Sequence, residues 1–445
     1  MSSTIFDQGF SLETFSKASD LQKRLVFTIL ALFIYRIGTY VPLPGLDPSI
    51  IADLASMHLG GSGFLGMFNM FSGGALGRMT IFALNLMPYI SSSIIIQLMT
   101  MVSPTLEALK KEGETGRKKI HQYTKYLTIC VASFQAWGIC LWLMSTDHSP
   151  VVIGNLFPII AVPSLVCGTL FLVWLGEQMT SRGVGNGSSL LIFSGIVANM
   201  PVSILNILEQ GRAGALSIVS VIAIFALALA VIAFVVYIER AQRKVTINYP
   251  QRQAMASQGH FMDTVNHLPL KINSAGVIPP IFAYSLLSLP MVIAGFLDTD
   301  NEYVMSFLDV FGGRGSGSVV FSAIFVALVI FFSFFYTAVV FNPTETADNL
   351  KKAGGYIPGV RPGKATAEYL DYILTRLTTV GALYMSLVCL LPDFINHQFG
   401  VHFIFGGTGI LIIVGVTIDT ISQIYTHVLS HQYRGILKKA EKRRR

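Results

Sequence analysis

The 445-residue chain is 52% hydrophobic and 12% charged, whereas a soluble globular chain carries about a quarter charged residues. Too few charges are available to coat the domains into which a soluble chain of this length would split, so composition points to lipid as the solvent. The formal net charge of +7 is scattered among apolar stretches, which excludes a continuous nucleic-acid-binding face but leaves room for basic loops that dock on ribosomal RNA or an acidic protein.

In chain order, Met1 to Asp20 carries Asp7, Glu13 and Asp20 without an apolar core or a small-residue cleavage site. It does not read as a signal peptide. Crossing the hydrocarbon takes about 20 mostly apolar residues in helical form, because an open backbone finds no hydrogen-bond partners there. Stretches near 25–41, 79–101, 126–145, 156–175, 190–207, 216–238, 274–296, 319–341, 374–391 and 403–425 meet that requirement. They predict ten transmembrane helices; the fifth, rich in Pro and Ser, and the ninth are short.

Charge between the stretches sets orientation. One set of connections holds Lys23 and Arg24, then Lys110 to Lys125, Arg182, Arg240 to Lys271, Lys351 to Lys364 and the tail up to Arg445. The alternate connections hold only Arg212 and Arg314 beside several carboxylates, and every lysine lies on the first side. The positive-inside rule makes that side cytoplasmic, with both termini on it. Within the stretches, ionisable residues are few: Asp419 toward the cytoplasmic end of the tenth, expected to face inward, and Arg36 and Arg78 at the edges of the first and second. A coupled transporter generally keeps intramembrane carboxylates or histidines for its ion, so that class is disfavoured. A purely structural scaffold would have no use for the breaks described below.

Cys130, Cys140, Cys167 and Cys389 form no CxxC pair and no metal-like spacing, so they read as packing residues. No phosphate-binding loop is present. Gly183-Val-Gly-Asn-Gly187 reads as a tight turn before a helix, with Ser188 or Ser189 available as N-cap. No residue set suggests a cofactor, a metal or catalysis.

Three segments interrupt the helical pattern. Glycines 60, 61 and 63 lead into Phe64 to Phe71, followed by Ser72-Gly73-Gly74. That apolar piece is too short to span; it reads as a re-entrant half-helix surrounded by protein or water, or as an interfacial helix. Pro88 falls in the second stretch and Pro279-Pro280 in the seventh. Breaks at matching places in two halves point to an inverted repeat with a pathway between them. Ser91, Ser92, Ser93, Gln97, Asn273 and Ser274 add uncharged polar side chains to the same two stretches, suited either to a seam that opens or to ordinary helix packing.

Eight segments, in order from about residue 20 to 440, resemble the SecY family. They are Arg36-Ile-Gly-Thr-Tyr-Val-Pro-Leu-Pro-Gly45, Met67 to Ala75, Met87-Pro-Tyr-Ile90, Gly183 to Gly187, His267 to Asn273, Asn342 to Asn349, Gly359-Val-Arg-Pro-Gly363 and Phe405 to Thr408. The resemblance implies an all-α polytopic membrane protein of ten helices, in two inverted five-helix halves around an hourglass pore with a plug half-helix. The cytoplasmic N-terminal segment would be 1–24, and the halves 25–207 and 208–425. The second half would carry cytoplasmic loops 239–272 and 342–370, and 426–445 would form a basic tail.

It further implies a non-enzymatic channel in the cytoplasmic membrane that passes unfolded secretory chains and releases hydrophobic segments sideways into the bilayer. The partners implied are SecE and SecG, the motor ATPase SecA, the ribosome, secretory preproteins and nascent membrane proteins. A pore ring would comprise Leu86, Ile90, Ile192, Ile196, Ile281 and Ile412, apolar so as to bind no passing sequence well and to stop ions by dewetting. Leu86 stands where the family often has isoleucine. The plug would span about residues 64–76 with Phe64, Met67, Phe68, Asn69, Met70, Phe71, Gly73 and Gly74. The lateral gate would use Ser91, Gln97 and Asn273, and cytoplasmic docking Arg240, Arg243, Lys244, Arg252 and above all Arg361.

Overall fold

The computed structural model describes residues 19–47, 49–51, 69–145, 150–214, 217–249, 265–294, 317–399 and 407–444. Ten long helices lie in these residues, one on each predicted stretch. They are α1 (Ser19–Gly38), α2 (Met87–Val102), α4 (Glu114–Ser145), α5 (Phe157–Arg182), α6 (Gly187–Arg212), α7 (Ile218–Arg240), α8 (Ile278–Ala294), α9 (Gly317–Val340), α11 (Lys364–Phe399) and α12 (Gly407–Arg444). Two short polar helices join them, α3 (Pro104–Lys111) and α10 (Pro343–Lys352). Among the described residues seven helices are long and apolar enough to cross a membrane, and α2 with α3, bent by 99°, makes an eighth. The helix α1 carries Asp20, Lys23, Arg24 and Arg36, and α8 is 17 residues long.

The two stretches that looked short are long. At 1.5 Å per residue, the 26 residues of α6 reach about 39 Å despite Pro201 in its interior, and α11 runs for 36 residues. In both, polar residues continue the helix beyond the apolar core that sequence could see.

The second and seventh helices begin later than predicted, and proline is the reason. Residues 79–86 form turns, and α2 starts at Met87 with Pro88 in its first turn. Likewise α8 starts at Ile278, directly before Pro279 and Pro280. In a first turn the missing N–H breaks no intrahelical bond and the fixed φ favours the helix. These prolines therefore initiate helices rather than kink them. At the Gly183–Gly187 turn the cap is neither serine: the Asn186 side-chain oxygen accepts from the Ser188 N–H at 3.2 Å.

Two compact units emerge, one containing α1 to α5, most of α6 and α12 from Ile412, the other α7, most of α8, α9, α10 and α11. In the first unit, α4 packs between α2 and α5. Leu76, Ala83, Leu84, Ala136, Leu143, Phe157 and Leu165 share one buried cluster there. Leu21, in the first turn of α1, and Val184 pack with Ile424 and Val428 of α12. In the second unit α9 and α11 pack side by side, with the Thr378 hydroxyl donating to Thr337 at 3.4 Å.

The connection between α7 and α8 holds the one sheet among the described residues: β1 (Gln242–Asn248) pairs antiparallel with β2 (Val265–Lys271). Sequence reading left this loop without strands. A bridge from Asn248 to Tyr356, with backbone bonds of 2.9 and 3.0 Å, ties the hairpin to the segment before α11. Val245, Leu270, Ile357, Leu370, Ile373 and Leu374 form a shared core beneath it. Leu370 is fully buried, and truncating such a residue costs about 2–5 kcal/mol. A Leu370→Ala variant is expected to expose residues 242–271 to protease at concentrations that leave the parent intact. Unchanged cleavage would mean that the hairpin stands without this core.

Candidate functional site

Among the described residues between α1 and α2, the backbone of 69–86 is irregular, and many of its N–H groups are hydrogen-bonded. The Leu43 N–H donates to Met79 O and the Ile81 N–H to Val41 O, at 2.9 and 3.1 Å. Of the expected plug residues, Phe64, Met67 and Phe68 lie outside the described residues, while Asn69 to Phe71 form a last helical turn. The Asn69 carbonyl accepts from Gly74 N at 2.9 Å, and its side-chain oxygen accepts from Gly77 N at 2.8 Å. The Asn85 amide donates to Phe71 O at 2.7 Å, and its own backbone takes a φ of 49°, a left-handed conformation that asparagine tolerates better than most residues.

Gly73 and Gly74 both have positive φ, 67° and 81°. A β-carbon on Gly73 would come within 3.0 Å of the Gly195 Cα, and one on Gly195 within 2.6 Å of Phe71 O. The segment thus rests directly on the α6 backbone. Two arginines also hold it. Arg36 Nη1 and Arg78 Nη2 both donate to the Gly73 carbonyl, at 3.1 and 2.9 Å. Both guanidiniums lie over the Tyr40 ring, 4.9 and 4.2 Å from its centre. The sequence flagged Arg36 and Arg78 as unusual charges, but nothing in it linked them to Gly73, Tyr40, Asn85 or Gly195.

The six aliphatic residues of the expected ring are all buried: Leu86, Ile90, Ile192, Ile196, Ile281 and Ile412 are each at most 9% exposed. Leu86 directly precedes α2 and Ile90 lies in its first turn, Ile281 lies in the first turn of α8, Ile412 is the sixth residue of α12, and Ile192 and Ile196 are the sixth and tenth of α6. Leu86 with Ile90, and Ile192 with Ile196, are four residues apart and so share a helix face.

The gate serines are turned onto their own helix. Ser91 and Ser92 donate to the carbonyls of Met87 and Pro88, at 3.1 and 2.7 Å. Gln97 donates to Ser93 at 3.2 Å, and its carbonyl oxygen is buried without a partner. Asn273 is buried, and its amide donates to Glu239 Oε1 at 2.7 Å and to Gly276 O at 3.0 Å. Glu239, buried in the last turn of α7, went unnoticed in the sequence because it abuts a run of basic residues. A further group also escaped: His121 Nε2 lies 2.7 Å from Glu177 Oε1, and Lys125 Nζ lies 2.8 Å from the same carboxylate, joining α4 to α5.

On the expected docking side, Arg240, Arg243, Lys244 and Arg361 are exposed, and Arg252 lies outside the described residues. The Arg361 carbonyl accepts from the Thr366 hydroxyl at 2.8 Å, fixing the turn while leaving the guanidinium in solvent. Asp419, expected to face inward, is exposed. Among the described residues no group of three or more His, Cys, Asp or Glu side chains is placed to hold a metal.

A sequence model of the SecY family matches residues 80–421. The chain is 48% identical to the protein translocase subunit SecY of Rickettsia conorii over 435 residues, covering 96% of this chain and 99% of that one. It is 50% identical to the Vibrio cholerae subunit of the same name over 430 residues, 96% of each chain. The Escherichia coli K12 subunit is 47% identical over 435 residues, 95% of each. Among solved structures, one described as a protein conducting channel superposes with a TM-score of 0.64 at 17% identity, covering 92% of this chain and 93% of that one. Sec61 in a canine ribosome-channel complex superposes at 0.62 and 16% identity, with the same coverage. The helical fold is therefore that of these channels, and the chain belongs to the SecY family.

Proposed function

We propose that this protein is the channel subunit of a protein translocase in the cytoplasmic membrane, with both termini in the cytoplasm. It passes unfolded secretory chains and lets hydrophobic segments leave sideways into lipid. The observation that carries this reading is near-half identity to translocase subunits along 95–96% of the chain. The burial of all six aliphatic residues accords with it. A solved relative is described as having a plug domain that stabilises the closed state and maintains a membrane seal; residues 64–76 take that role here. Energy comes from outside the chain, from the motor ATPase SecA or the translating ribosome. SecE and SecG complete the membrane complex.

Each proposed part has a physical task. Six aliphatic side chains offer a passing polypeptide no hydrogen bond and no charge, so no sequence is retained, and an apolar constriction resists wetting by ions. The two polar positions Gln97 and Asn273 set how hydrophobic a segment must be to leave sideways. The exposed Arg361 presents a planar, permanently charged fork, suited to carboxylate or phosphate on a cytoplasmic partner.

A photo-cross-linker placed at Ile90, Ile196 or Ile281 is expected to capture a stalled secretory chain, while one at exposed Ile29 or Leu229 is not. Capture only at Ile29 and Leu229 would remove the pore assignment. Asn273→Leu withdraws a donor from buried Glu239, at about 1–3 kcal/mol, and is expected both to lower the thermal stability of the purified protein and to admit signals of lower hydrophobicity. Gln97→Leu, which breaks only a contact within α2, should shift the signal threshold without the loss of stability. Identical thresholds in both variants and the parent would reduce these residues to packing. Arg361→Glu, at an exposed turn, should leave the protein folded yet bring motor-driven export into vesicles to background; normal export would refute the docking role.

A further inference from the structure

The Gly73 carbonyl is held in an unusual way. Its two acceptor positions are both met by guanidinium donors, Arg36 Nη1 at 3.1 Å from the end of α1 and Arg78 Nη2 at 2.9 Å from the turns after the plug. Among the described residues, neither arginine is paired with a carboxylate. Their surroundings are instead the Thr39 hydroxyl, which accepts from Arg36 Nη1 at 3.4 Å, the Tyr40 ring, under both guanidiniums, and its hydroxyl, which accepts from Arg36 Nη2 at 3.0 Å. The Arg78 Nε is buried and has no partner.

Charged residues at the edge of the hydrocarbon are expensive and are kept where they have a task. If the task were only to satisfy one carbonyl, a single neutral donor such as an asparagine amide would suffice, as Asn85 shows on the neighbouring Phe71 carbonyl. Two cations on one carbonyl repel each other. The aromatic face, attractive to both, offsets that repulsion. Such a joint holds firmly while the carbonyl is present, and it has no carboxylate that would make release slow.

We infer that Arg36 and Arg78 form a two-pronged latch on the Gly73 carbonyl, holding the root of the plug against α1 and letting go when the channel opens. The inference rests on the plug reading of residues 64–76. In this role the arginines are positioning residues that act through the plug. Gly73 is the catch: its left-handed φ turns the carbonyl outward, and its missing side chain lets it lie against Gly195.

The test measures resting ion conductance of the purified channel in planar bilayers, with the full chain and with residues 64–76 deleted. Arg36→Gln and Arg78→Gln in the full chain should each raise resting conductance about tenfold, the equivalent of one charge-assisted hydrogen bond. Arg36→Lys and Arg78→Lys, which keep charge and one donor, should fall between them and the parent; this pair decides the matter if a glutamine variant fails to fold. In the deleted chain, where Gly73 is gone, the same substitutions should add nothing. Further leak in that background would overturn the latch, because the arginines would then be acting elsewhere. Parent-like conductance in all four full-length variants, beside a deletion that leaks, would overturn it while leaving the plug intact as an idea. A deletion that does not leak would remove the plug reading and the latch with it.

Discussion

Hydrogen-bond satisfaction of a non-helical backbone is the constraint on which the first unit depends. Within a bilayer, irregular chain survives only where protein or trapped water replaces the missing partners. Residues 72–86 are irregular, and their partners include Val41 and Leu43 just after α1, the side chains of Asn69 and Asn85, and the two arginines. The helices around the segment are built to reach it. Gly168 in α5 lets the chain pass so close that a β-carbon there would meet the Ile81 carbonyl at 2.1 Å, and Gly195 does the same for Phe71 in α6. Where a larger residue would hold the helices away, glycine makes them the lining of an irregular core.

The same constraint explains the prolines. A span that must begin deep, after an irregular stretch, needs a residue that starts a helix without leaving an N–H behind. Pro88 and the pair Pro279-Pro280 supply that at α2 and α8. The aliphatic residues Leu86, Ile90 and Ile281 stand in or beside those first turns, so helix initiation and the proposed constriction use the same few residues of chain.

Sequence legibility followed the range of each signal. Apolar length located all ten helices, since that signal sums over about twenty residues and tolerates local irregularity. The helix start was misplaced at 79–86 because a turn rich in Leu, Ile, Phe and Met is as apolar as helix, and at 274–277 because Ala and Val continue the apolar run up to Pro279. The hairpin of β1 and β2 was missed because its strands are short, highly charged on the exposed side, and paired across residues 249–264. Contacts between distant residues left no trace: Gly73 with Arg36 and Arg78, Asn273 with Glu239, and His121 with Glu177 each join separate elements. The resemblance pointed to Gly73 and Asn273, but their partners had to be seen in the structure. Asn186 rather than a serine caps α6 because the tight turn presents its side chain, one residue earlier, to the first free N–H.

The hairpin and the segment before α11 have a mechanical consequence. They share one buried core, are bridged backbone to backbone at Asn248 and Tyr356, and emerge from it directly into α7, α8 and α11. Elements fastened in this way cannot be deflected one at a time. A load applied to either loop is shared between them and arrives at three helix ends together, as on a yoke. Asn273, between β2 and α8, is also bound to the end of α7, so a side chain as well as the backbone ties the yoke to that helix.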